Sequence, residues 1–516
     1  MSEDAAVVRG ATHRPGFRLD QHLGTDMRTN RLHRWPAALA WLCAACIAQA
    51  QDLAITNARL IDGTGAAAVD GTTIVVRDGR IAAVGRGGSV AVPEGMRTID
   101  AAGKVVMPGL ADMHVHFSFG APMQRRADET EAVLARELYY GVTSILQLGA
   151  TEGDVASIRA LRARREAGTL AAPYIYASGG HLTLPGTHPV YTIFPPEVRA
   201  QADRLTAATP ADQPVDLVPL GLGLSFVRNE TAARQAVRER AEGGMDAIKI
   251  TVESGPMPFG DDHPLMPVAM IRAIVDEAHA RDLPVFAHIS SPNELEAVME
   301  GGVDAVVHAV IDRPLPDATV AARMAANGLA LVPTLTLNDG AVEYATAPGY
   351  MDDPFFRATV GDAEIAALRG PFAGIWRQGW DVNAGGEGGD RLAAMQQHRA
   401  DVLASVGTIH AAGVPVVLGT DTGNPYVYPG YSVHRELELL VQAGLTPMQA
   451  IEAGTRRAAE MLRKQDEFGT IAPGRRADLL LLDADPLLDI RNTRRIDTVV
   501  AAGVVVDREA LLRVAR

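Results

Sequence analysis

Six residues in this chain have the types and spacing to build a metal centre. Asp112-Met-His114-Val-His116 closes an apolar run, and alternation along a strand puts His114 and His116 on one side, where two imidazoles can share an ion. Alone, such a pair is a weak signal, because two hydrogen-bonded structural histidines read the same way. Lys249 stands in Asp246-Ala-Ile-Lys249-Ile250, inside an otherwise apolar run. An ammonium buried without a partner is costly, so either the side chain snorkels to water or burial depresses its pKa and leaves a neutral amine. His288 in Val285-Phe-Ala-His288, His308 in Val306-Val-His308 and Asp421 in Leu418-Gly-Thr-Asp421 end three further apolar runs. Chance is a poor explanation for all six lying on runs of one kind.

The elements that must position them follow from the same runs. Between Lys104 and about Gln465, apolar stretches alternate with amphipathic helical ones: Val105 to Leu110, Ser144 to Leu148, Tyr174 to Ala177, Ala247 to Val252, Val285 to Ile289, Ala305 to Val310, Ala330 to Leu335 and Val416 to Gly419. Near-continuous apolar character is what parallel strands covered on both faces require. Eight of them alternating with helices predict an α/β fold with a TIM-like (β/α)8 barrel over 108–465, and catalysis at the C-terminal ends of its strands. An open doubly wound sheet is the alternative. Short β-branched runs with turn residues, such as Thr73-Ile-Val-Val76 before Asp78-Gly79, fill both ends of the chain. Segments 51–107 and 466–516 are therefore expected to form one small β-sandwich domain. Two connections, 179–245 and 336–399, are too long for plain loops. The second carries Tyr350, Phe355, Phe356, Trp376, Trp380 and a glycine-rich stretch from Ala384 to Gly389, and reads as a lid or as a surface insertion.

Composition narrows the function classes. The 516 residues are 47% hydrophobic and 21% charged, which is globular composition. A net charge of −14 has the wrong sign for wrapping nucleic acid. Arg28, Arg31 and Arg34 precede an apolar run from Trp35 to Ile47 and then Ala48-Gln49-Ala50, the layout of a secretory signal over 27–50. That run falls short of the roughly 20 apolar residues of a membrane span, so no membrane insertion is expected. The protein is expected to be periplasmic or secreted after cleavage near Ala50, with Met27 as the start and residues 1–26 as a doubtful extension. Both cysteines, Cys43 and Cys46, lie in the leader, so no disulfide can hold the remainder. Lipid modification at Cys46 is an alternative that Cys43 makes a poor one.

With these residues in place, the chain resembles the amidohydrolase superfamily of metal-dependent hydrolases. Asp112 to His116, Lys249, His288, His308, Gly419-Thr-Asp421 and the tail Gly469-Thr-Ile-Ala-Pro-Gly474 carry the likeness. It is most similar to the imidazolonepropionase-like branch that includes prolidase-type enzymes, to which Gly423-Asn-Pro425 and His434-Arg-Glu-Leu-Glu-Leu-Leu440 are also similar. The resemblance implies two divalent metal ions, with zinc expected and iron, cobalt or manganese as alternatives. It places His114, His116 and Asp421 on one ion, His288 and His308 on the other, and a carboxylated Lys249 bridging them. It further implies hydrolysis of an amide or peptide C–N bond in a small substrate, such as an Xaa-Pro dipeptide or an N-acyl amino acid. A metal-bridging hydroxide would attack, and Asp421 would shuttle its proton. His188, in Pro185-Gly-Thr-His188, is assigned to the substrate carbonyl, with His181 as competitor because Thr187 departs from the family's Gly-Gly-His. Tyr191, Arg228, His434 and Arg435 are further substrate-binding candidates, while His263, His279, His398 and His410 read as structural or exposed. A homo-oligomer is left open. The alternatives are a mononuclear deaminase or imidazolonepropionase-like ring hydrolase, against which Lys249 argues, and a catalytically silent binding module, against which the complete ligand set argues.

Overall fold

The computed structural model describes residues 52–117, 127–149, 154–254, 263–308, 318–369, 389–424 and 426–516. The expected signal segment, its cleavage site, both cysteines, Trp376, Trp380 and residues 384–388 lie outside them. Among the described residues no helix is long and apolar enough to cross a membrane.

Strands from both ends of the chain share one sheet. Its order runs Val504–Val505, Ile496–Ala501, Leu479–Leu482, Val105–Pro108, Leu53–Leu60, Val69–Arg77 and Arg80–Arg86, with Arg97–Asp100 paired to Leu53–Leu60 as well. Asp78 and Gly79, both at positive φ, make the two-residue turn that fixes the Arg77↔Arg80 register. Leu53, Ile55, Ile74, Val76, Val106, Leu479, Leu481 and Val500 collect in one apolar cluster, so the sheet has its own core. The first expected run divides at Gly109. Val105–Pro108 pairs antiparallel with Leu479–Leu482 in this sheet, and the first strand of the central parallel layer is Leu110–Val115. Gly109 donates its N–H to Asp478 O at the handover.

The central part is mixed α/β, with strands in two ladders that are parallel except where Val215–Asp216 pairs antiparallel with Leu224–Phe226. One joins Leu110–Val115, Val142–Gln147 and Tyr174–Ala177; the other runs Val215–Asp216, Leu224–Phe226, His181–Thr183, Ile248–Thr251, Val285–His288, Ala305–Val307 and Ala330–Val332. Helices such as Glu230–Glu242, Val268–His279 and Pro292–Gly301 return the chain between strands. Alternate side chains go to different cores. Ala247, Phe286, Ala305, Val307, Ala330 and Val332 meet one another, whereas Ile248, Ile250, Val285, Ala287, Val306 and Leu331 pack in the cluster that includes the helices. Both faces of these strands are thus covered, which is why their sequences read as continuous apolar runs.

The expected eighth run, Val416 to Gly419, makes isolated parallel bridges and no regular ladder. Leu331 bridges Val416, Val115 bridges Thr422, and Met113 donates to Leu418 O at 3.0 Å. Asp246 N–H likewise reaches Ala177 O at 2.8 Å between the two ladders. A close approach explains the irregularity. A Cβ at Gly419 would stand 2.5 Å from Val332 Cγ1 and 3.0 Å from His114 N, so only glycine lets this segment lie between its neighbours.

The long connections are structured. The first holds the strand His181–Thr183 and the helix Pro196–Ala208. In the second, the lid expectation does not hold for Tyr350, Phe355 and Phe356. They pack with Tyr140, Tyr428 and Tyr431 in an aromatic cluster, with Phe356 fully buried.

Candidate metal centre

The histidines expected at strand ends converge. Ring contacts run unbroken from His188 to His288 (5.0 Å), His308 (4.7 Å), His114 (5.1 Å), His116 (5.0 Å) and His181 (6.1 Å). Two sets of ligand atoms within this chain of rings could each hold an ion: His114, His116 and Asp421, and His188, Glu253 and His288.

The first set is built by strand alternation and braced from behind. Asp112, on the same side of the strand, is fully buried and accepts from the N–H of His114 and of Thr420 and from the Thr420 hydroxyl. That pins the His114 strand to the Asp421 segment. Asp421 sits at φ 66 and donates its backbone N–H to His114 O. Such a conformation is uncommon for a residue with a side chain and recurs at functional sites. His116 Nδ1 donates to Gly149 O at 2.9 Å, so in the neutral ring Nε2 carries a bare lone pair. That lone pair lies 3.0 Å from Asp421 Oδ1, which has no hydrogen-bond partner. Two acceptors this close repel unless a proton or cation lies between them.

Lys249 is the second test of fit. Its side chain is fully buried and Nζ has no partner. Burial brings its ammonium down to about 7, with Asp421 opposing. The amine is thus substantially neutral near pH 7, the form that can take up CO₂. Burial likewise holds His114, His181 and His308 well below the usual imidazole range and brings His288 to about 3, leaving lone pairs available to metals. Burial pushes the Asp421 carboxyl up, and its fall well below the usual carboxylate range requires positive charge at the His114, His116 and His308 positions around it. Neutral imidazoles, an unpartnered carboxylate oxygen and a solvent-excluded amine are a donor set that divalent ions satisfy. His308 and His181 are held in orientation by hydrogen bonds between Nδ1 and the hydroxyls of Thr334 (2.8 Å) and Thr251 (3.2 Å), outer support of the kind metal-site histidines have.

The family model described as the amidohydrolase family matches residues 105–506. The chain belongs to that family. Among curated relatives, the imidazolonepropionase of Haloarcula marismortui is 24% identical over 428 residues, 79% of this chain and 82% of that one. A Bifidobacterium longum protein described as a candidate prolidase is 28% identical over 90% of this chain and 99% of its own, with a TM-score of 0.63. An Xaa-Pro dipeptidase with methionine in its active site shares the fold, at 22% identity, 88% and 100% coverage and a TM-score of 0.65. This amidohydrolase is thus a hydrolase acting on carbon–nitrogen bonds, in the branch that holds imidazolonepropionases and prolidases.

Four substrate-binding expectations meet a different structure in this amidohydrolase. His434 is fully buried, with Nδ1 on Thr493 Oγ1 and Nε2 on Tyr140 O, both at 2.9 Å; it ties helix Tyr431–Gln442 to its neighbours. The Arg435 guanidinium is taken up by Asp339 (2.7 Å) and Glu438 (3.1 Å). Arg228 donates to the carbonyls of Thr206, Thr209 and Pro210, closing the end of helix Pro196–Ala208. Tyr191 donates to Asp203. Each of these side chains is engaged by local acceptors, Arg228 through its two Nη atoms, a competition that sequence types do not reveal. His188 does reach the centre, stacked on His288, with Nδ1 2.7 Å from Thr192 Oγ1.

Glu253 was missed. Its Oε2 lies 2.8 Å from His288 Nε2 and 3.5 Å from His188 Nδ1. The signal existed: Lys249, Thr251 and Glu253 alternate, and the first places all three on the interior side. His263, read as structural or exposed, has its Nε2 buried without a partner.

Proposed function

We propose that the protein is an exported, binuclear metal-dependent amidohydrolase that cleaves the amide or peptide bond of a small substrate, an Xaa-Pro dipeptide or an N-acyl amino acid. The observation that carries this is Lys249, a buried amine with no protein partner among histidines and Asp421. A mononuclear site would leave it unexplained. On this reading His114, His116 and Asp421 hold one ion, zinc by preference, His288 and His308 serve the other, and Lys249, as its carbamate, lies between. Divalent ions bound there supply Lewis acidity, polarising a carbonyl and acidifying water.

The chain's own residues do the rest. Asp421, ionised and with Oδ1 free of hydrogen bonds, accepts a proton from the attacking water and delivers it to the departing nitrogen. His181, whose Nδ1 accepts from the Thr251 hydroxyl so that the unpartnered, buried Nε2 carries the proton, is better placed than His188 to donate to the substrate carbonyl oxygen. His188 is occupied by Thr192 and Glu253.

The two ladders are read as parts of one (β/α)8 barrel over 108–465, continued through the bridges at Val416 and Thr422. Segments 51–107 and 466–516 are read as the accompanying β domain. Export rests on the basic and apolar pattern of residues 28–50. Elemental analysis of the purified protein, with hydrolysis of Xaa-Pro dipeptides, N-acyl amino acids and cyclic amides, tests the proposal. About two metal equivalents with amide cleavage are expected. One equivalent with ring opening or ammonia release would select the mononuclear alternative.

A further inference from the structure

Glu253 is an anomaly on the interior side. Its side chain is 1% exposed, it follows the strand Ile248–Thr251 by two residues, and Oε1 has no hydrogen-bond partner. The backbone locks it beside His288. Thr251 is in register with His288, and Val252 donates its N–H to His288 O at 3.1 Å. Glu294, the N3 residue of helix Pro292–Gly301, accepts from the N–H groups of Ser254, Ser290 and Ser291. The residues on either side of Glu253 are thus tied to His288 or to those that closely follow it, and Glu253 Oε2 arrives 2.8 Å from His288 Nε2. His188 Nδ1 comes only within 3.5 Å of that oxygen and is taken by Thr192 at 2.7 Å, so His288 is the ring that the carboxylate serves.

That partner decides the tautomer. A carboxylate only accepts, so the ring proton stands on Nε2 and the lone pair on Nδ1. The reverse arrangement, a protonated Glu253 donating to Nε2, would put the N–H on Nδ1 and leave the ring no lone pair for an ion. The other three candidate ligand rings have weaker outer partners: His116 Nδ1 has the Gly149 carbonyl, His308 Nδ1 the Thr334 hydroxyl and His114 Nδ1 none. Hydrogen bonds to an ionised group are roughly twice as strong as neutral ones. We infer that Glu253 is a positioning residue: it accepts from His288 Nε2–H, holds the ring with its Nδ1 lone pair toward the metal centre and so strengthens the hold of His288 on the second divalent ion. A cation across the ring makes Nε2–H a stronger donor, which offsets the cost of burying a carboxylate with one oxygen unsatisfied. The inference rests on the binuclear reading and leaves His288 and His308 as the ligands of the second ion.

Zinc affinity tests it without recourse to turnover. Protein stripped with a chelator is titrated with zinc(II) in competition with a chromophoric chelator, which gives the affinity of each ion separately. Glu253→Leu, which removes the acceptor, should hold the second ion about 10–100-fold more weakly than the wild type, with the first ion unchanged. Glu253→Gln, whose amide oxygen still accepts from the ring, should recover part of that loss. Wild-type affinity for the second ion in Glu253→Leu overturns the inference and leaves the binuclear reading intact; an equal loss at both ions, the mark of a general structural defect, overturns it too. Should Glu253→Leu fail to fold, cobalt(II) decides: the absorption bands of the second ion should shift in Glu253→Gln, where a neutral amide backs the ring, and bands identical to those of the wild type overturn the inference. A wild type that binds fewer than two ions sinks the binuclear reading itself, and the inference with it.

Discussion

The two polar clusters of the centre differ in how the chain makes them. His114 lies on the strand Leu110–Val115 and His116 one residue past its end, and they meet Asp421 across a neighbouring segment through a pair of backbone contacts and the Asp112 carboxylate that joins the two. The set of His188, Glu253 and His288 comes from a loop, a residue beyond a strand and a strand end, held by side-chain bonds through Thr192 and Glu294. One is written by periodicity and the other assembled by tertiary contacts. The lesson is that the outer support, rather than the ligand types, separates a regular site from an irregular one.

The largest effect should come from Asp421→Asn. Turnover is expected to fall by about 10²–10⁴-fold, the range for a lost general acid–base, while elemental analysis finds most of the metal retained. Wild-type turnover in that variant would remove Asp421 from proton transfer and make the two sets equivalent. Lys249→Ala should lose the metal pair together with activity, since both sets flank the buried amine. A variant that still bound two ions and worked normally would show that neither ion needs Lys249.

Gly149→Ala probes the support of the first set. At φ +98 the added Cβ would stand 2.1 Å from His181 Cδ2 and displace the carbonyl that aims His116. A loss of about 1–3 kcal/mol is expected in denaturant unfolding, with a fall in turnover. An unaltered variant would mean that the His116 ring needs no such anchor. The smallest effect belongs to the arginines outside both sets. Arg228→Gln should change KM by less than roughly twofold, because a residue that does not touch substrate removes no binding energy. A KM rise of tenfold or more would return Arg228 to the substrate site.

Much of the site was legible because strand ends are predictable from apolar runs. His114, His116, His288 and His308 were each visible as a polar interruption in a buried stretch, and Lys249 as a charge where none could be tolerated alone. Glu253 escaped because it lies past the run, where alternation had to be carried beyond the last apolar residue. His434, Arg228, Arg435 and Tyr191 were misread for one reason. A polar side chain near a site looks free in sequence, and only the fold shows that Thr493, the Thr206 carbonyl, Asp339 and Asp203 already hold them. The division at Gly109 was hidden too, since Val105–Pro108 and Leu110–Val115 are one apolar run split between two sheets.

By itself the sequence determined the alternation of strands and helices, the positions of six candidate ligands and the burial of Lys249. These are local properties: they depend on the periodicity of apolar residues and on the cost of desolvating a charge. Tertiary structure alone decided which histidine faces which carboxylate, that Glu253 joins His188 and His288, and that the arginines are spent on backbone and acid partners. Those outcomes depend on distances of a few ångströms between residues far apart in the chain, such as His116 and Asp421 or His188 and His288. No periodicity encodes them, because hydrogen-bond donors and acceptors choose partners only after packing has brought them within reach.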